Sequence, residues 1–149
     1  MEISEIISPE RVISSNVVTS KKAALESIAG LIASADPGLT QSEVFESLIA
    51  REKLGSTGLG HGIALPHGRR KCGNQTIGAF LRLEDAVPYD AIDQKPVDLF
   101  FALLVPEEST EEHLQILAKL AKIFSDPSLV NRIRSCDSDQ SLFTIISDQ

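Results

Sequence analysis

The sequence predicts an α/β sandwich in which helices cover both faces of one β-sheet. Residues 97–105 are apolar on both faces of a strand, which is the pattern of a central strand covered on two sides. Segments with helical periodicity and capping residues lie before and after this strand. The 149 residues contain no linker or repeat, so we expect one domain over residues 1–149.

The chain opens ambiguously and then enters a predicted helix. Residues 3–18 are apolar without a sustained period. Ser20 is the expected N-cap of a helix over residues 21–35, which Pro37 and Gly38 end. The side chains expected on its buried face are Leu25, Ile28, Leu31, Ile32 and Ala35.

A second helix follows at once. Thr40 and Glu43 have the spacing of a capping box, and Gly55 is expected to be the C′ residue that ends the helix. The predicted buried stripe comprises Val44, Phe45, Leu48 and Ile49. A glycine-rich loop therefore begins where this helix stops.

Two strands are predicted in the middle of the chain. Residues 75–83 alternate in a period of two, which predicts a strand with one face more buried than the other. Residues 97–105 form the central strand.

Three helices are predicted after the central strand. Ser109 and Glu112 suggest a capping box that opens the first of them, with His113 in its first turn. Its expected core-facing residues are Leu114, Leu117, Leu120, Ala121 and Phe124. Asp126 and Pro127 begin a shorter helix. The last helix is predicted from its apolar residues Leu142, Phe143, Ile145 and Ile146.

Composition excludes several classes of function. The chain has no tryptophan, one tyrosine and a formal net charge of −7, which disfavours nucleic acid and anionic lipid and favours a basic protein partner. No apolar run reaches the roughly 20 residues of a membrane helix, and residues 1–5 do not resemble a leader, so we expect a cytoplasmic protein without membrane insertion. Cys72 and Cys136 are expected to form neither a disulfide nor a zinc site.

The most informative segment is the glycine-rich stretch over residues 55–69. Gly55 and Gly60 fit the first half of a phosphate-binding loop, but His61 stands where that loop needs its lysine. The dinucleotide fingerprint fails as well, because Ile63 occupies the position of its third glycine. Both nucleotide-binding interpretations are therefore rejected.

What remains is a histidine presented beside a loop with available backbone N–H groups. A short apolar strand is expected to stop at His67, and Pro66 fixes the backbone just before it. A histidine held in this way can serve as nucleophile, base or metal ligand. Considered alone, Pro66-His67-Gly68 is also compatible with a simple turn.

The wider motif resembles the active-site signature of type-2 enzyme IIA domains of the bacterial phosphoenolpyruvate phosphotransferase system. It consists of Glu52, six further residues, Leu59-Gly60, two residues, and the segment over residues 63–68. Similarity extends through residues 20–25, 51–58 and 91–106, and the sequences of these segments most resemble the nitrogen-related branch of the family. The resemblance implies a mixed β-sheet flanked by helices on both faces.

The resemblance also implies three active-site residues. His67 is the expected phosphorylated residue, through Nε2, with His113 as a second active-site histidine and Arg51 as an active-site arginine. A neutral imidazole can accept a phosphoryl group if its other nitrogen donates to a fixed acceptor. A phosphoryl group carries about −1.5 to −2 charge, which requires nearby donors and cations. Arg51 has the alternative of pairing with Glu43 or Glu46 on its own helix.

Other candidates are weaker. The hydroxyls of Ser56 and Thr57 and the backbone of Gly68 are candidate phosphoryl-binding groups. His61 is expected to be an exposed loop residue. A zinc site built from the three histidines is disfavoured by their irregular spacing, so neither a metal nor a cofactor is expected. The basic cluster at residues 69–71 is expected to be a solvated loop.

The resulting functional hypothesis is a phosphohistidine carrier and regulator. The resemblance implies an HPr-type phosphocarrier as donor and regulatory targets in nitrogen, potassium or stress physiology, such as potassium transport or sensor kinase proteins. One alternative is a fructose- or mannitol-type enzyme IIA that passes phosphate to an enzyme IIB. Another is a docking module without catalysis. A hydrolase is disfavoured because no serine or cysteine nucleophile with an orienting acid is evident.

Overall fold

A six-stranded mixed β-sheet forms the centre of the computed structural model, which describes residues 1–149. The strands are β1 (Val12–Asn16), β2 (Gly58–Gly60), β3 (Ile63–Ala64), β4 (His67–Arg70), β5 (Ile77–Val87) and β6 (Val97–Pro106). Their order is β1-β5-β6-β3-β2, and β4 also pairs with β6. The β5–β6 and β2–β3 pairs are antiparallel, whereas β1 with β5, and β3 and β4 with β6, are parallel.

Helices cover both faces of the sheet, as predicted. They are α1 (Ile3–Ile6), α2 (Lys21–Ala33), α3 (Gln41–Glu52), α4 (Thr110–Ile123), α5 (Pro127–Ser135) and α6 (Asp139–Ser147), with a 3-10 turn at Pro9–Arg11. Helices α2 and α3 pack on one face, and the other four pack on the opposite face. None of the helices has the length and apolarity that a membrane span requires.

The central strand β6 divides the interior into two cores. Phe100, Ala102 and Leu104 face the core beneath α2 and α3. The residues that alternate with them, such as Phe101 and Leu103, face the core beneath the other helices. Burial of one such large apolar side chain contributes about 1.5–3 kcal/mol, which explains why this strand has no polar face. The prediction for residues 97–105 is confirmed.

Strands β3 and β4 are two parts of one path along β6. Ile63 is opposite Leu99 and His67 is opposite Leu103, so the register does not change between the two short strands. The intervening Pro66 still accepts a hydrogen bond from the Leu103 N–H at 3.0 Å. His67 therefore begins a strand, which corrects the expectation that a strand stops there.

The first long helix is shorter than predicted. Ser20 caps α2 by accepting from the Ala23 N–H at 3.0 Å, as expected. The helix ends at Ala33 and leaves Ala35 exposed. The cause is a local turn in which the Asp36 carboxylate accepts from the Gly38 N–H at 2.8 Å.

Helix α3 has the predicted N-cap and a different end. Thr40 accepts from the Glu43 N–H at 3.1 Å, but the Glu43 carboxylate accepts from the Thr40 hydroxyl and not from its backbone N–H. The C-cap is Lys53, so the C′ residue is Leu54 and Gly55, which was predicted to be C′, lies one position further on. Of the predicted stripe, Val44 and Leu48 are fully buried, while Phe45 and Ile49 pack at its margin.

Strand β5 is longer than predicted and buried on both faces at its start. Gly78 was predicted on the less buried face but is buried, and so is Phe80, which lies on the same face of the strand. A side chain at Gly78 would approach Phe101 and Ile7 at 3.1–3.3 Å, because α1 and the segment after it pack closely here. The sequence pattern did not reveal this covering layer because α1 is only one turn long.

Helix α4 corrects two predictions. Ser109 makes no side-chain capping bond, although its carbonyl accepts from the His113 N–H at 3.0 Å. Leu114 is 65% exposed, while Ile116, which the predicted stripe omitted, is buried. The later helices agree with the predictions. Asp126 caps α5, and Leu142 and Ile146 are buried in α6.

Candidate active site

Three elements from different parts of the chain meet at the predicted histidine. Arg51 lies in the last turn of α3, His67 is the first residue of β4, and His113 lies in the first turn of α4. The imidazole rings of His67 and His113 have centroids 5.1 Å apart and planes at 82°. The fold therefore brings together residues that are far apart in the sequence, because most strands of the central sheet lie between Arg51 and His113.

The tautomer of His67 is determined by a backbone carbonyl. His67 Nδ1 lies 2.8 Å from the carbonyl oxygen of Leu65. A carbonyl oxygen can only accept, so Nδ1 carries the hydrogen and Nε2 keeps its lone pair. The ring is half-buried. The geometry leaves a nucleophilic nitrogen at Nε2.

The acceptor at Leu65 is itself held by hydrogen bonds. The Leu65 N–H donates to the Thr57 carbonyl at 3.1 Å, just before β2. In a strand, the N–H and C=O of one residue point to the same side, so the Leu65 carbonyl also points towards the β2 edge. Strand β2 is antiparallel to β3 and begins at Gly58, one residue after Thr57. The His67 ring folds back so that its Nδ1–H donates to the Leu65 carbonyl.

Burial and nearby cations keep His67 neutral. Burial lowers the pKa of His67 from its ordinary value of 6.5, and the positive charges of Arg51 and Arg69 lower it further. The Leu65 carbonyl and the Glu52 carboxylate act in the opposite direction without cancelling the shift. At pH 7 the ring is therefore predominantly neutral, as nucleophilic attack requires.

His113 is a buried imidazole without hydrogen bonds. It is 6% exposed, and neither of its ring nitrogens has a partner. Burial, followed by the charges of His67, Arg69 and Arg51, lowers its pKa to about 4. A neutral imidazole has one N–H donor, and an unpaired buried donor costs roughly 1–3 kcal/mol. His113 thus has an unused donor next to the His67 ring.

Arg51 has no carboxylate partner. Its Nη1 donates to the Gly55 carbonyl at 2.7 Å, which holds the guanidinium at the beginning of the glycine-rich loop. It makes no ion pair with Glu43 or Glu46, so the alternative role considered from the sequence is wrong. The other N–H groups of the guanidinium remain available to bind an anion.

Within the basic cluster after His67, only Lys71 lies in an exposed bend, as expected of a solvated loop. Arg69 and Arg70 belong to β4. Arg69 donates to the Glu107 carbonyl at 3.0 Å and to the Thr110 hydroxyl at 3.4 Å. Arg70 is buried and forms an ion pair with Asp36. Arg69 is therefore a cation beside both histidines, whereas Arg70 is structural.

The three weaker candidates lie close by in different environments. Ser56 Oγ donates to the Tyr89 carbonyl at 3.4 Å and accepts from the Gly58 N–H at 3.1 Å. The Thr57 hydroxyl is buried in a polar cluster and is already engaged there. At Gly68, a Cβ would lie 3.0 Å from both the Cβ and the carbonyl carbon of Ser47, so this glycine is required by the packing of β4 on α3.

Glu52 is a residue whose role the sequence did not reveal. It is buried at the end of α3 and accepts from the Thr57 N–H at 3.1 Å and the Thr57 hydroxyl at 2.6 Å. Tyr89 donates to it at 3.2 Å and Lys21 pairs with it at 3.0 Å. Burial alone raises the pKa of Glu52, but these bonds outweigh burial and hold it below its ordinary value. The only sequence signal was its place at the start of the quoted motif.

His61 lies on the exposed turn between β2 and β3. Its backbone has φ of +57°, and its N–H donates to the Asp93 carboxylate at 2.9 Å. The expectation that it is an exposed loop residue is confirmed. No set of three histidine, cysteine or carboxylate side chains is arranged to hold a metal ion.

The family assignment agrees with this geometry. The family profile described as "Phosphoenolpyruvate-dependent sugar phosphotransferase system, EIIA 2" matches residues 5–149. The chain belongs to this family and is an EIIA-type component of the phosphotransferase system.

Within that class the chain is similar to nitrogen regulatory proteins over its full length. It is 42% identical over 149 residues to the "Nitrogen regulatory protein" of Klebsiella oxytoca, covering 99% of this chain and 91% of that protein. It is 43% identical over 148 residues to the protein of the same description from Pseudomonas aeruginosa, covering 99% and 96% of the two chains.

Solved structures of similar proteins have the same fold as this chain. The nitrogen regulatory protein IIA-Ntr from Neisseria meningitidis superposes with a TM-score of 0.91 at 44% identity, covering 97% of this chain and 98% of that one. The IIA mannitol protein of Escherichia coli superposes with a TM-score of 0.75 at 19% identity, covering 93% and 97% of the two chains, which shows the same fold. The predicted α/β fold and family are confirmed.

Proposed function

We propose that this protein accepts a phosphoryl group on His67 Nε2 from an HPr-type phosphocarrier and signals to regulatory partners in the cytoplasm through its phosphorylation state. The observation that carries the proposal is the 2.8 Å contact between His67 Nδ1 and the Leu65 carbonyl. That contact presents the lone pair of Nε2 in a half-buried, neutral ring.

The reaction is a transfer between two imidazoles. The Nε2 lone pair of His67 attacks the phosphorus of the donor phosphohistidine, and the new N–P bond forms as the donor N–P bond breaks. The donor imidazole keeps the electron pair of the broken bond. The Nδ1 proton of His67 stays on its ring and is hydrogen-bonded to the Leu65 carbonyl, whose oxygen stabilises the positive charge that develops on the imidazole.

Three groups support the incoming charge. Arg51 and Arg69 are cations close enough to lower the pKa of both histidines, so they also attract a phosphoryl dianion. His113 supplies a donor that has no partner in the unphosphorylated protein. A group that is unsatisfied before the reaction and satisfied afterwards favours the phosphorylated state.

Phosphorylation changes the surface around His67. Two exposed apolar side chains adjoin site residues in sequence, with Leu54 84% exposed near Arg51 and Leu114 65% exposed beside His113. A partner that buries these leucines meets an additional charge of about −1.5 to −2 after phosphorylation. The similarity to nitrogen regulatory proteins supports regulatory targets, with potassium transport and sensor kinase proteins as candidates.

The decisive experiment is intact-mass analysis. The protein is incubated with phosphoenolpyruvate, enzyme I and the HPr-type carrier, and His67→Ala is treated in parallel. We expect one acid-labile phosphate on the wild type and none on the variant. Phosphate on the folded variant would refute the assignment of His67, and none on either protein would support a docking module.

The sugar-transport alternative is tested with the same phosphorylated protein. The chain is 29% identical over 128 residues to the "PTS system fructose-specific EIIA component" of Haloferax volcanii. Phosphorylated protein is mixed with a purified fructose- or mannitol-type enzyme IIB. Loss of the label from His67 to the enzyme IIB would favour sugar transport, and retention of the label favours regulation.

A further inference from the structure

A buried polar cluster lies directly behind the candidate active site. We call it the Glu52 cluster, and its members are Lys21, Glu52, Thr57 and Tyr89. Thr57 Oγ1 lies 3.0 Å from Tyr89 Oη, and Lys21 Nζ lies 4.3 Å from the centre of the Tyr89 ring. The cluster joins the start of α2, the end of α3, the glycine-rich loop and the segment after β5.

Hydrogen bonds connect this cluster to His67. Glu52 accepts from the Thr57 N–H at 3.1 Å, and the carbonyl of the same Thr57 accepts from the Leu65 N–H at 3.1 Å. The Leu65 carbonyl then accepts from His67 Nδ1 at 2.8 Å. Each of these bonds fixes the position of the next acceptor.

We infer that Glu52 is a positioning residue for phosphoryl acceptance, which holds the reactive tautomer of His67 through Thr57 and the Leu65 carbonyl. This inference rests on the proposed function only where it concerns the effect of Glu52 on phosphoryl transfer to His67. Its effect on the tautomer of His67 is a property of the unphosphorylated protein. The two can therefore be measured separately.

A carboxylate is required at this position because four donors converge on it. They are the N–H and hydroxyl of Thr57, the Tyr89 hydroxyl and the Lys21 ammonium. A carboxylate has two acceptor oxygens with about four lone-pair sites, whereas a carboxamide has one oxygen and two competing N–H donors. Glutamine in place of Glu52 would therefore leave donors unpaired and release Thr57 from its fixed position.

The burial of this charge points to function more than to stability. The Glu52 side chain is 2% exposed and that of Lys21 is 24% exposed, so the carboxylate is almost wholly removed from water. Buried ion pairs contribute little net stability because desolvation offsets their attraction. What the carboxylate does contribute is a negative charge that opposes Arg51 and Arg69 at His67.

The test compares Glu52→Gln with Glu46→Gln, which removes one exposed carboxylate from the same helix. Long-range ¹H–¹⁵N spectra report the tautomer and pKa of His67 in each unphosphorylated protein. We expect Glu52→Gln to reduce the fraction of the Nδ1–H tautomer and to lower the pKa of His67 further. Glu46→Gln should match the wild type in both.

Transfer from the phosphorylated HPr-type carrier is measured on the same proteins. We expect kcat/KM for Glu52→Gln to fall between about 10-fold and 100-fold, mainly through kcat, since a misplaced nucleophile slows the chemical step. A folded Glu52→Gln with unchanged His67 tautomer and pKa would overturn the inference. If the wild type itself accepts no phosphate, the proposed function fails while the tautomer result still decides the inference.

A second variant keeps the test valid if Glu52→Gln does not fold. Thr57→Val preserves the size of the side chain and removes its 2.6 Å bond to Glu52. We expect a smaller loss of the Nδ1–H tautomer in the same direction. A folded Thr57→Val with the wild-type tautomer of His67 would contradict the inference.

Discussion

The imidazole rings of His67 and His113 meet edge to face with centroids 5.1 Å apart, and only His67 has a hydrogen-bond partner. Two imidazoles at this distance disfavour a second positive charge, so both remain neutral near pH 7. Phosphorylation of one ring would favour protonation of the other ring, because the phosphoryl dianion stabilises a proton on its neighbour. In the proposed function, His67 is the nucleophile and His113 is the donor.

The pH dependence of the site follows from His67. Its pKa lies below the ordinary 6.5, and the protonated ring has no lone pair at Nε2. We therefore expect phosphoryl acceptance to decline on acidification through the pKa of His67, at a lower pH than for an ordinary histidine. A ¹⁵N titration of His67 is the measurement, and a pKa at or above 6.5 would contradict the structure.

Arg51→Gln should have opposite effects on titration and on transfer. Removal of the cation raises the pKa of His67 towards its ordinary value, because Arg51 lowers it in the wild type. Transfer should fall by about 100-fold through loss of a charged donor to the phosphoryl group. Lys53→Gln, an exposed lysine two residues later, is the matched control and should change neither.

His113→Phe should stabilise the protein and impair its reaction. Phenylalanine fills a similar space and removes two buried nitrogens that have no partner, which we expect to raise the free energy of unfolding by about 1 kcal/mol at pH 7. Phosphoryl acceptance should fall because the donor is lost. Urea unfolding and the transfer assay on the same variant provide the measurement, and a less stable but fully active variant would refute both roles.

The same variant should change how stability depends on pH. His113 has a pKa of about 4 in the folded protein against 6.5 ordinarily, so between these values the unfolded chain binds more protons. The free energy of unfolding therefore decreases as the pH falls from 7, by about 2 kcal/mol from this residue at pH 5. His113→Phe should lose that part of the decrease, as unfolding curves at pH 7 and 5 would show.

Gly68→Ala should destabilise the contact between β4 and α3. The added methyl group would lie 3.0 Å from two carbon atoms of Ser47, one of them backbone, so overpacking is expected to cost about 1–3 kcal/mol. Gly30→Ala adds the same methyl group within α2, where the nearest atom is 3.4 Å away on a flexible side chain. That control should stabilise the protein by about 0.5–1 kcal/mol, and equal effects of the two changes would contradict the packing.

Local sequence patterns predicted most elements because their causes are local. The cap at Ser20 and the two-sided apolar strand depend on residues within one element. Leu114 was assigned to the core but is exposed. Periodicity alone does not show where the apolar stripe of a helix ends, because that depends on the surface against which the helix packs. The short β1 was ambiguous because its partner β5 lies far away in the sequence.

Periodicity along the chain predicted the fold class, and the resemblance to a known family pointed to His67, Arg51 and His113 as site residues. The surroundings of these three residues depend on tertiary packing. The Leu65 carbonyl accepts from His67, while the Thr57 N–H donates to Glu52, and Glu52 is buried where four donors from three segments converge on it. Hydrogen bonding and burial depend on which distant segments pack together, and no local pattern records that.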